Sequence, residues 1–309
     1  MYSDFYYPSC GAGSIHGCRW EPEGKPVAVL QIVHGLGGHS ARYDHFARYM
    51  AAMGFLVVAG DHMGHGGSVG PERPRGHFEG GWFKAVGDVY RLLKTTRLEY
   101  PDIPYVLLGH AMGSFMVRCL LTQYPKCGVS VAILCGSGWV HRGVLNTGIA
   151  AARTMGSMQG YATPSKKLTD SLLRGYNRRI EHKRTDFDWL SRSSRVVDAY
   201  LSDDNCFHVL TPGMARDIMV GMKFIQEPEN LERMQKSLPI LAVSGGDDPV
   251  GDYGEGVKKM VQAFTRAGME NVSMRLFPLC RHELLNELNR EEVYEHILKW
   301  IQKQVNFDA

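Results

Sequence analysis

The chain of 309 residues lacks any apolar run approaching the roughly 18 residues a membrane helix needs, which excludes a helical span. Its first residues, Met1-Tyr2-Ser3-Asp4-Phe5, carry neither the basic start nor the apolar stretch of a secretory signal. An excess of one charge sign is missing too. The 35 Lys and Arg face 32 Asp and Glu, a formal charge of +3, too balanced for a protein that mainly coats nucleic-acid phosphates. No Cys-x-x-Cys pair occurs among the seven cysteines (Cys10, Cys18, Cys119, Cys127, Cys135, Cys206 and Cys280). Their odd number and scattered spacing argue against a disulfide framework or structural zinc, and for a reducing, cytoplasmic compartment. Internal repeats and low-complexity stretches are absent. What remains, 44% hydrophobic and 22% charged, is ordinary globular composition.

Strand-like and helix-like segments alternate along the first half. Ala28-Val29-Leu30-Gln31-Ile32-Val33, Phe55-Leu56-Val57-Val58-Ala59 and Tyr105-Val106-Leu107-Leu108 read as strands, each followed by a glycine-containing turn. Between them, Ser40 to Met53 and Trp82 to Leu98 read as helices, and a third helical pattern runs through Leu121. Further strands are expected at Val129–Cys135, Ile240–Val243 and Val272–Phe277, and a last helix from Glu291 to Gln304. Strands that are apolar on both faces and separated by helices predict a mostly parallel sheet covered on both sides. The stretch from Trp139 to Lys236 breaks the alternation with helical patterns and no convincing strand. It reads as a helical insertion that caps the carboxyl edge of the sheet, where open α/β sheets bind ligands.

Tyr105-Val-Leu-Leu-Gly109-His110-Ala111-Met112-Gly113-Ser114 carries the most chemistry. A buried strand runs into a sharp turn and a helix, with glycines two positions either side of Ala111, the context of the Gly-x-Ser-x-Gly nucleophile elbow. Alanine has no hydroxyl and cannot attack. Gly66-Gly67-Ser68-Val69-Gly70 matches that pattern literally, but it lies in a loop and runs into Pro71 and Pro74 rather than a helix. Ser114 lies three positions further along its helix, off the tip of the elbow.

A nucleophile needs an imidazole base and an acid that orients it. Pro239-Ile-Leu-Ala-Val-Ser-Gly245-Gly-Asp247-Asp248-Pro-Val is a strand followed by carboxylates, with Asp248 the better-placed acid and Asp247 and Asp252 the alternatives. His282 follows the last strand, so the order 111, 248, 282 matches elbow, acid, histidine. Gln31-Ile32-Val33-His34-Gly35-Leu36-Gly37 offers a turn whose Leu36 N–H joins the Met112 N–H as an oxyanion hole. Each such donor is worth roughly 3 kcal/mol to the transition state.

These motifs together resemble the monoacylglycerol lipase and lysophospholipase branch of the α/β-hydrolase family. The resemblance rests on His34-Gly-Leu-Gly-Gly-His39-Ser-Ala-Arg42-Tyr43, Asp61-His62-Met-Gly64-His65-Gly66-Gly-Ser68-Val-Gly70, Gly109-His-Ala-Met-Gly113, Gly245-Gly-Asp-Asp248-Pro-Val and Arg281-His282-Glu283. It runs from about residue 12 to residue 303 and is weak only in the insertion. It implies an α/β-hydrolase fold with a sheet of about eight strands, a core over residues 1–138 and 237–309, and a helical cap over 139–236. It further implies carboxylic-ester hydrolysis by a serine at position 111, Asp248 and His282, with no cofactor. Ala111 departs from the pattern. Two explanations compete: a deliberate serine-to-alanine change that traps an ester or product, and a natural non-catalytic binder of acyl ligands. Acid, base and oxyanion loop all remain, which favours the first. An amidase, peptidase or acyltransferase is the other alternative.

The remaining features are less specific. His34, His39, His62, His65 and His77 cluster in sequence without a His-Glu-x-x-His pattern, so no metal is expected. Lys166 to Arg195 holds nine Lys or Arg against four Asp or Glu. That is a solvated helix face or a rim that attracts anionic head groups and touches a membrane surface transiently. Val144, Leu145, Ile149, Met155, Met158, Leu172, Leu173, Trp189, Val209, Met214, Ile218, Met219 and Met222 divide between the core of the cap and an acyl channel. The expected partner is a small ester with an acyl chain, not nucleic acid.

Overall fold

The computed structural model describes residues 1–70 and 74–305; Pro71 and the last four residues of the expected core lie outside them. Eight strands form one sheet: β1 (Tyr2–Pro8), β2 (Ser14–Trp20), β3 (Ala28–Val33), β4 (Phe55–Gly60), β5 (Tyr105–His110), β6 (Val131–Cys135), β7 (Ile240–Gly245) and β8 (Val272–Phe277). Their spatial order is β1-β2-β4-β3-β5-β6-β7-β8. From β4 to β8 every neighbouring pair is parallel, while β1 and β2 form an antiparallel hairpin added beside β4. The five strands β3 to β7 are buried at every position, as continuous β-branched and leucine-rich runs between two helical layers must be.

Helices α1 (Asp44–Ala52), α2 (Trp82–Glu99) and α3 (Met112–Gln123) connect the first parallel strands. The segment expected as one helix from Ser40 begins instead with a 3₁₀ turn over Ser40–Tyr43. Between β6 and β7 lie α4 (Arg142–Gln159), α5 (Lys166–Leu172), α6 (Ser194–Ser202), α7 (Pro212–Phe224) and α8 (Pro228–Glu232), with no strand among them. Then α9 (Glu255–Arg266) joins β7 to β8, and α10 (Arg290–Gln304) follows. One apolar layer packs α2, α3 and α9 against the sheet and merges with Leu145, Ile149 and Met214 of the insertion. The opposite layer packs α1 and α10. No helix among the described residues is long and apolar enough to cross a membrane, and all seven cysteines are free.

The chain leaves β3 for β4 on one side and later returns to place β5 on the other. That reversal opens a crevice at the carboxyl ends of β3 and β5. The turns that follow β3, β5, β7 and β8 hold Leu36, Ala111, Asp248 and His282, so the topology gathers them at one edge.

The hairpin was not expected from the sequence. β1 is exposed at most positions, and β2 breaks its apolar alternation with Gly17 and Arg19. A Cβ at Gly17 would sit 2.4 Å from the Phe5 ring, which would have to move aside. Trp20 ends β2 in the core, 1% exposed, and its indole N–H donates to Asp44 at 2.8 Å. Trp20→Ala is therefore expected to cost about 3–5 kcal/mol, read from urea unfolding. A loss under about 1 kcal/mol would mean that the hairpin is an appendage.

Candidate active site

β5 turns into α3 at Ala111, whose φ of 52° and ψ of −121° lie where side-chain-bearing residues are rare. The flanking glycines make the turn possible. A Cβ on Gly113 would lie 2.0 Å from the Val33 carbonyl oxygen, and one on Gly109 would lie 2.5 Å from the Gly113 carbonyl. The Ala111 N–H donates to Cys135 O on β6 at 2.9 Å and pins the turn to the sheet. This is the elbow geometry, with a methyl group at its tip. Met112 opens α3, where the first N–H groups have no intrahelical acceptor.

The opposing donor is set by histidines. The His34 Nε2 accepts the His62 N–H at 3.0 Å, so His34 carries its proton on Nδ1 and donates it to Gly35 O at 2.7 Å. In a trans peptide the C=O and N–H point oppositely, so fixing Gly35 O turns the Leu36 N–H the other way. A Cβ on Gly35 would touch the Ala111 methyl at 3.1 Å, which places this peptide beside the elbow.

Asp248, fully buried, accepts from His282 Nδ1 at 2.9 Å, from the Val250 N–H at 2.9 Å and from Ser244 Oγ at 3.0 Å. Burial raises the Asp248 pKa, but the His282 charge and these hydrogen bonds outweigh it and hold the carboxyl below its ordinary value. Of the three candidate acids only Asp248 meets the imidazole; Asp252 turns outward to Arg178 at 4.0 Å. Behind His282, the Nε2 of His110 donates to its backbone carbonyl at 3.2 Å, and His110 Nδ1 accepts from Tyr43 OH at 2.8 Å. Tyr43 in turn accepts the Gly35 N–H at 3.2 Å, so one chain of bonds links the Leu36 loop and the His282 loop.

The literal Gly-x-Ser-x-Gly match is structural. Ser68 is buried, donating to Asp61 O at 2.8 Å and accepting the His16 N–H at 2.9 Å. Ser114 donates to Ala111 O at 2.6 Å inside α3. Among the described residues, two groups bring possible metal ligands within 4.8 Å of one another: Asp4, His16 and Cys18, and His39, Asp203 and Cys206. In both, the imidazole already pairs with a carboxylate at 2.8 Å, His16 with Asp61 and His39 with Asp203, and these bonds tie loops together.

A cavity of about 290 Å³ opens over this edge, lined by Leu36, Ala111, Met112 and His282. Its upper wall comes from the insertion. Val144, Leu145, Leu172, Leu173, Trp189, Ile218, Met219 and Met222 face it, whereas Met214 is core and Met158 is exposed. Near His282 the wall turns polar. Arg42 Nη2 contacts both carboxylate oxygens of Glu283 at 2.8 Å, under the Tyr200 ring. Sequence reasoning missed this pair, whose partners are 241 positions apart and carry no local pattern.

The basic run over Lys166–Arg195 is less available than its composition implied. Lys166, Lys183, Arg184 and Arg192 each pair with a carboxylate at 3.0 Å or closer.

Residues 24–289 match the family described as serine aminopeptidase, S33. The chain is 30% identical over 288 residues to a monoacylglycerol lipase of Mycolicibacterium smegmatis, covering 91% of this chain and 90% of that protein. It is 25% identical to the monoglyceride lipase of Mus musculus, over 98% and 92% of the two chains. In structure it resembles a highly thermostable carboxyl esterase from Bacillus coagulans in complex with glycerol. That likeness has a TM-score of 0.90 and 28% identity over 98% and 99% of the chains.

The buried histidines make an acid-labile site. Burial lowers the pKa of His62 and His110 to about 4 and that of His65 to about 3, from 6.5. The neighbouring imidazoles His62 and His282 add to the effect at His65 and His110 respectively. Between these values the unfolded chain binds more protons than the folded one, so stability is complete above about pH 6.5 and falls as pH drops toward 4. The urea midpoint should fall steadily over that range, and His65→Leu should flatten the dependence by about one proton. A midpoint that is flat from pH 6.5 to 4 would contradict the neutral stack.

Proposed function

The chain belongs to the serine aminopeptidase S33 family and, within the α/β-hydrolases, to the monoacylglycerol lipase branch; from that premise we propose a serine carboxylic-ester hydrolase whose nucleophile position is occupied by alanine. The observation that carries the reading is the His282–Asp248 pair at 2.9 Å, with Ala111 and His282 on one cavity wall. With serine at 111, its oxygen attacks the acyl carbonyl. His282 Nε2 takes the proton, because Nδ1–H is committed to Asp248, and then returns it to the leaving alcohol. The Leu36 and Met112 N–H groups receive the oxyanion. Water then releases the acid. As written, the chain binds the ester but has no nucleophile with which to turn it over.

The cavity's character supports an amphipathic substrate. Leucines and methionines of the insertion suit an acyl chain, and Arg42, Glu283 and Tyr200 suit a polar alcohol. In this reading residues 139–236 act as the cap. The exposed Val144 and Met158 of α4 support transient contact with a membrane surface, and seven free cysteines support a cytoplasmic site of action. Aminopeptidase chemistry is less well supported. A substrate amine needs an unneutralised carboxylate, and Glu283, the carboxylate on the cavity wall among the described residues, is already bound by Arg42.

Hydrolysis of p-nitrophenyl esters of graded chain length, by this chain and by Ala111→Ser, tests the proposal. The variant should gain at least about 10³-fold in kcat/KM, with a chain-length preference that reports cavity depth. Should both proteins be inert on every ester while folded, the esterase reading fails and the non-catalytic acyl binder replaces it. Faster cleavage of anilides than of esters with the same acyl group would move the reading to an amidase.

A further inference from the structure

The loop that carries His282 is fastened to the helical insertion by one buried carboxylate. The Glu287 side chain is fully enclosed, and four N–H donors converge on it. Its Oε1 accepts the backbone N–H of Arg281 and of Arg192, each at 3.0 Å. Its Oε2 accepts Arg192 Nε at 3.0 Å and the Leu288 N–H at 2.9 Å. One oxygen therefore joins Arg281, directly before the base, to Arg192 of the insertion, 95 positions from Glu287. Around this joint the two segments exchange further bonds. The His282 N–H donates to Trp189 O at 3.4 Å and the Glu283 N–H to Leu190 O at 2.7 Å. Arg281 Nη1 reaches Asp188 O at 2.7 Å and Ser191 O at 3.0 Å. Arg192 Nη2 closes the far side on Asn289 Oδ1 at 2.6 Å. The Trp189 ring then lies 5.1 Å from the His282 ring on the cavity wall.

We propose that Glu287 is a positioning residue for the base: its carboxylate locks the His282 loop to the Asp188–Arg192 segment, so the imidazole is correctly placed only while the insertion is docked. The inference rests on the reading of His282 as the base. Asp248 fixes the far end of the imidazole, but nothing in the His282–Asp248 bond fixes the backbone that presents it. The Arg281 N–H to Glu287 bond supplies that restraint, and an ångström of drift at a reacting group costs about 10²-fold in rate.

The test has two arms. In the Ala111→Ser protein, Glu287→Gln should lower kcat about 10²-fold and leave KM within about threefold. Its kcat–pH profile should also show a displaced limb for the histidine, which a loss of bulk stability would not produce. Arg192→Gln keeps the carboxylate and both loop N–H bonds and loses only the guanidinium; it should lower kcat about tenfold with the same unchanged KM, and it carries the test if Glu287→Gln does not fold. In the chain as it stands, the downfield proton resonance of His282 Nδ1–H should be lost or displaced by either substitution. Arg142→Ala, which breaks an exposed ion pair of the insertion, should leave it in place. Folded variants with parental kcat and an unmoved resonance would overturn the proposal. If Ala111→Ser is inert on all esters, the esterase reading falls while the resonance still decides the joint. If the unsubstituted chain shows no such resonance, the His282–Asp248 pair is absent and both readings fall.

Discussion

The structure depends on one crowded turn. β5 cannot enter α3 without a positive φ at Ala111, and the turn closes only because Gly109 and Gly113 let backbone approach backbone where a Cβ would collide. The collision partner of Gly113 is the end of β3, so the elbow and the oxyanion loop are pressed together by the same contact. That compression sets the distance between the two strands at the point where the strand order reverses. The crevice, the cavity-facing N-terminus of α3 and the Leu36 peptide all inherit their positions from it.

Around the turn, polar groups are buried at a cost that hydrogen bonds offset only where every donor finds its acceptor. The histidines show how this works. His34 and His110 are each held in a single tautomer by one donor and one acceptor, His62 donates its Nε2–H to His34 O, and burial keeps all three neutral. A protonated imidazole at His34 would lose its acceptor face toward the His62 N–H, releasing the strap that orients Leu36. At His110 it would lose the bond from Tyr43 and with it the link to Gly35. Neutrality here is therefore a geometric requirement on the oxyanion loop. The His282–Asp248 hydrogen bond and the Arg42–Glu283 ion pair stand one residue apart on the same loop. The buried carboxylates Asp248 and Glu283 are thus each bonded to a partner, as buried charge must be.

Sequence reasoning reached what local pattern encodes. Strands buried on both faces appear as apolar runs, so β3 to β7 were legible, and the order of elbow, acid and histidine picked out Ala111, Asp248 and His282. The choice of Asp248 over Asp247 and Asp252 became a matter of geometry only once β7 and β8 were side by side. The β1–β2 hairpin was illegible because an edge strand such as Tyr2–Pro8 is mostly solvated and has no core face to pattern. In the insertion, helical spacing marked apolar residues without separating two apolar faces. Leu145 of α4 and Met219 of α7 reach the cavity, while Met214, five residues earlier and about 140° round α7, packs into the core. The Arg42–Glu283 and Arg192–Glu287 pairs had no signal at all, since each joins segments far apart in the chain. Arg192 counted as rim charge in the sequence and turned out to be a structural bond.

The alanine at the elbow bears on what the rest of the site is for. Serine and alanine strain the backbone alike at a φ of 52°, so removing the hydroxyl leaves the turn, the helix N-terminus and both loops unchanged. Under the esterase reading proposed above, what it removes is the attacking group. A pocket that merely held an acyl chain would need the leucines and methionines of the insertion. It would gain nothing from a fully buried aspartate opposite an imidazole, or from a Gly35 carbonyl fixed by a buried histidine. Those groups reduce stability unless they are completely paired, and here they are paired around the one missing atom. On the proposed reading of Asp248 and His282, that pairing favours an esterase interrupted at one side chain over a binder that never required a nucleophile.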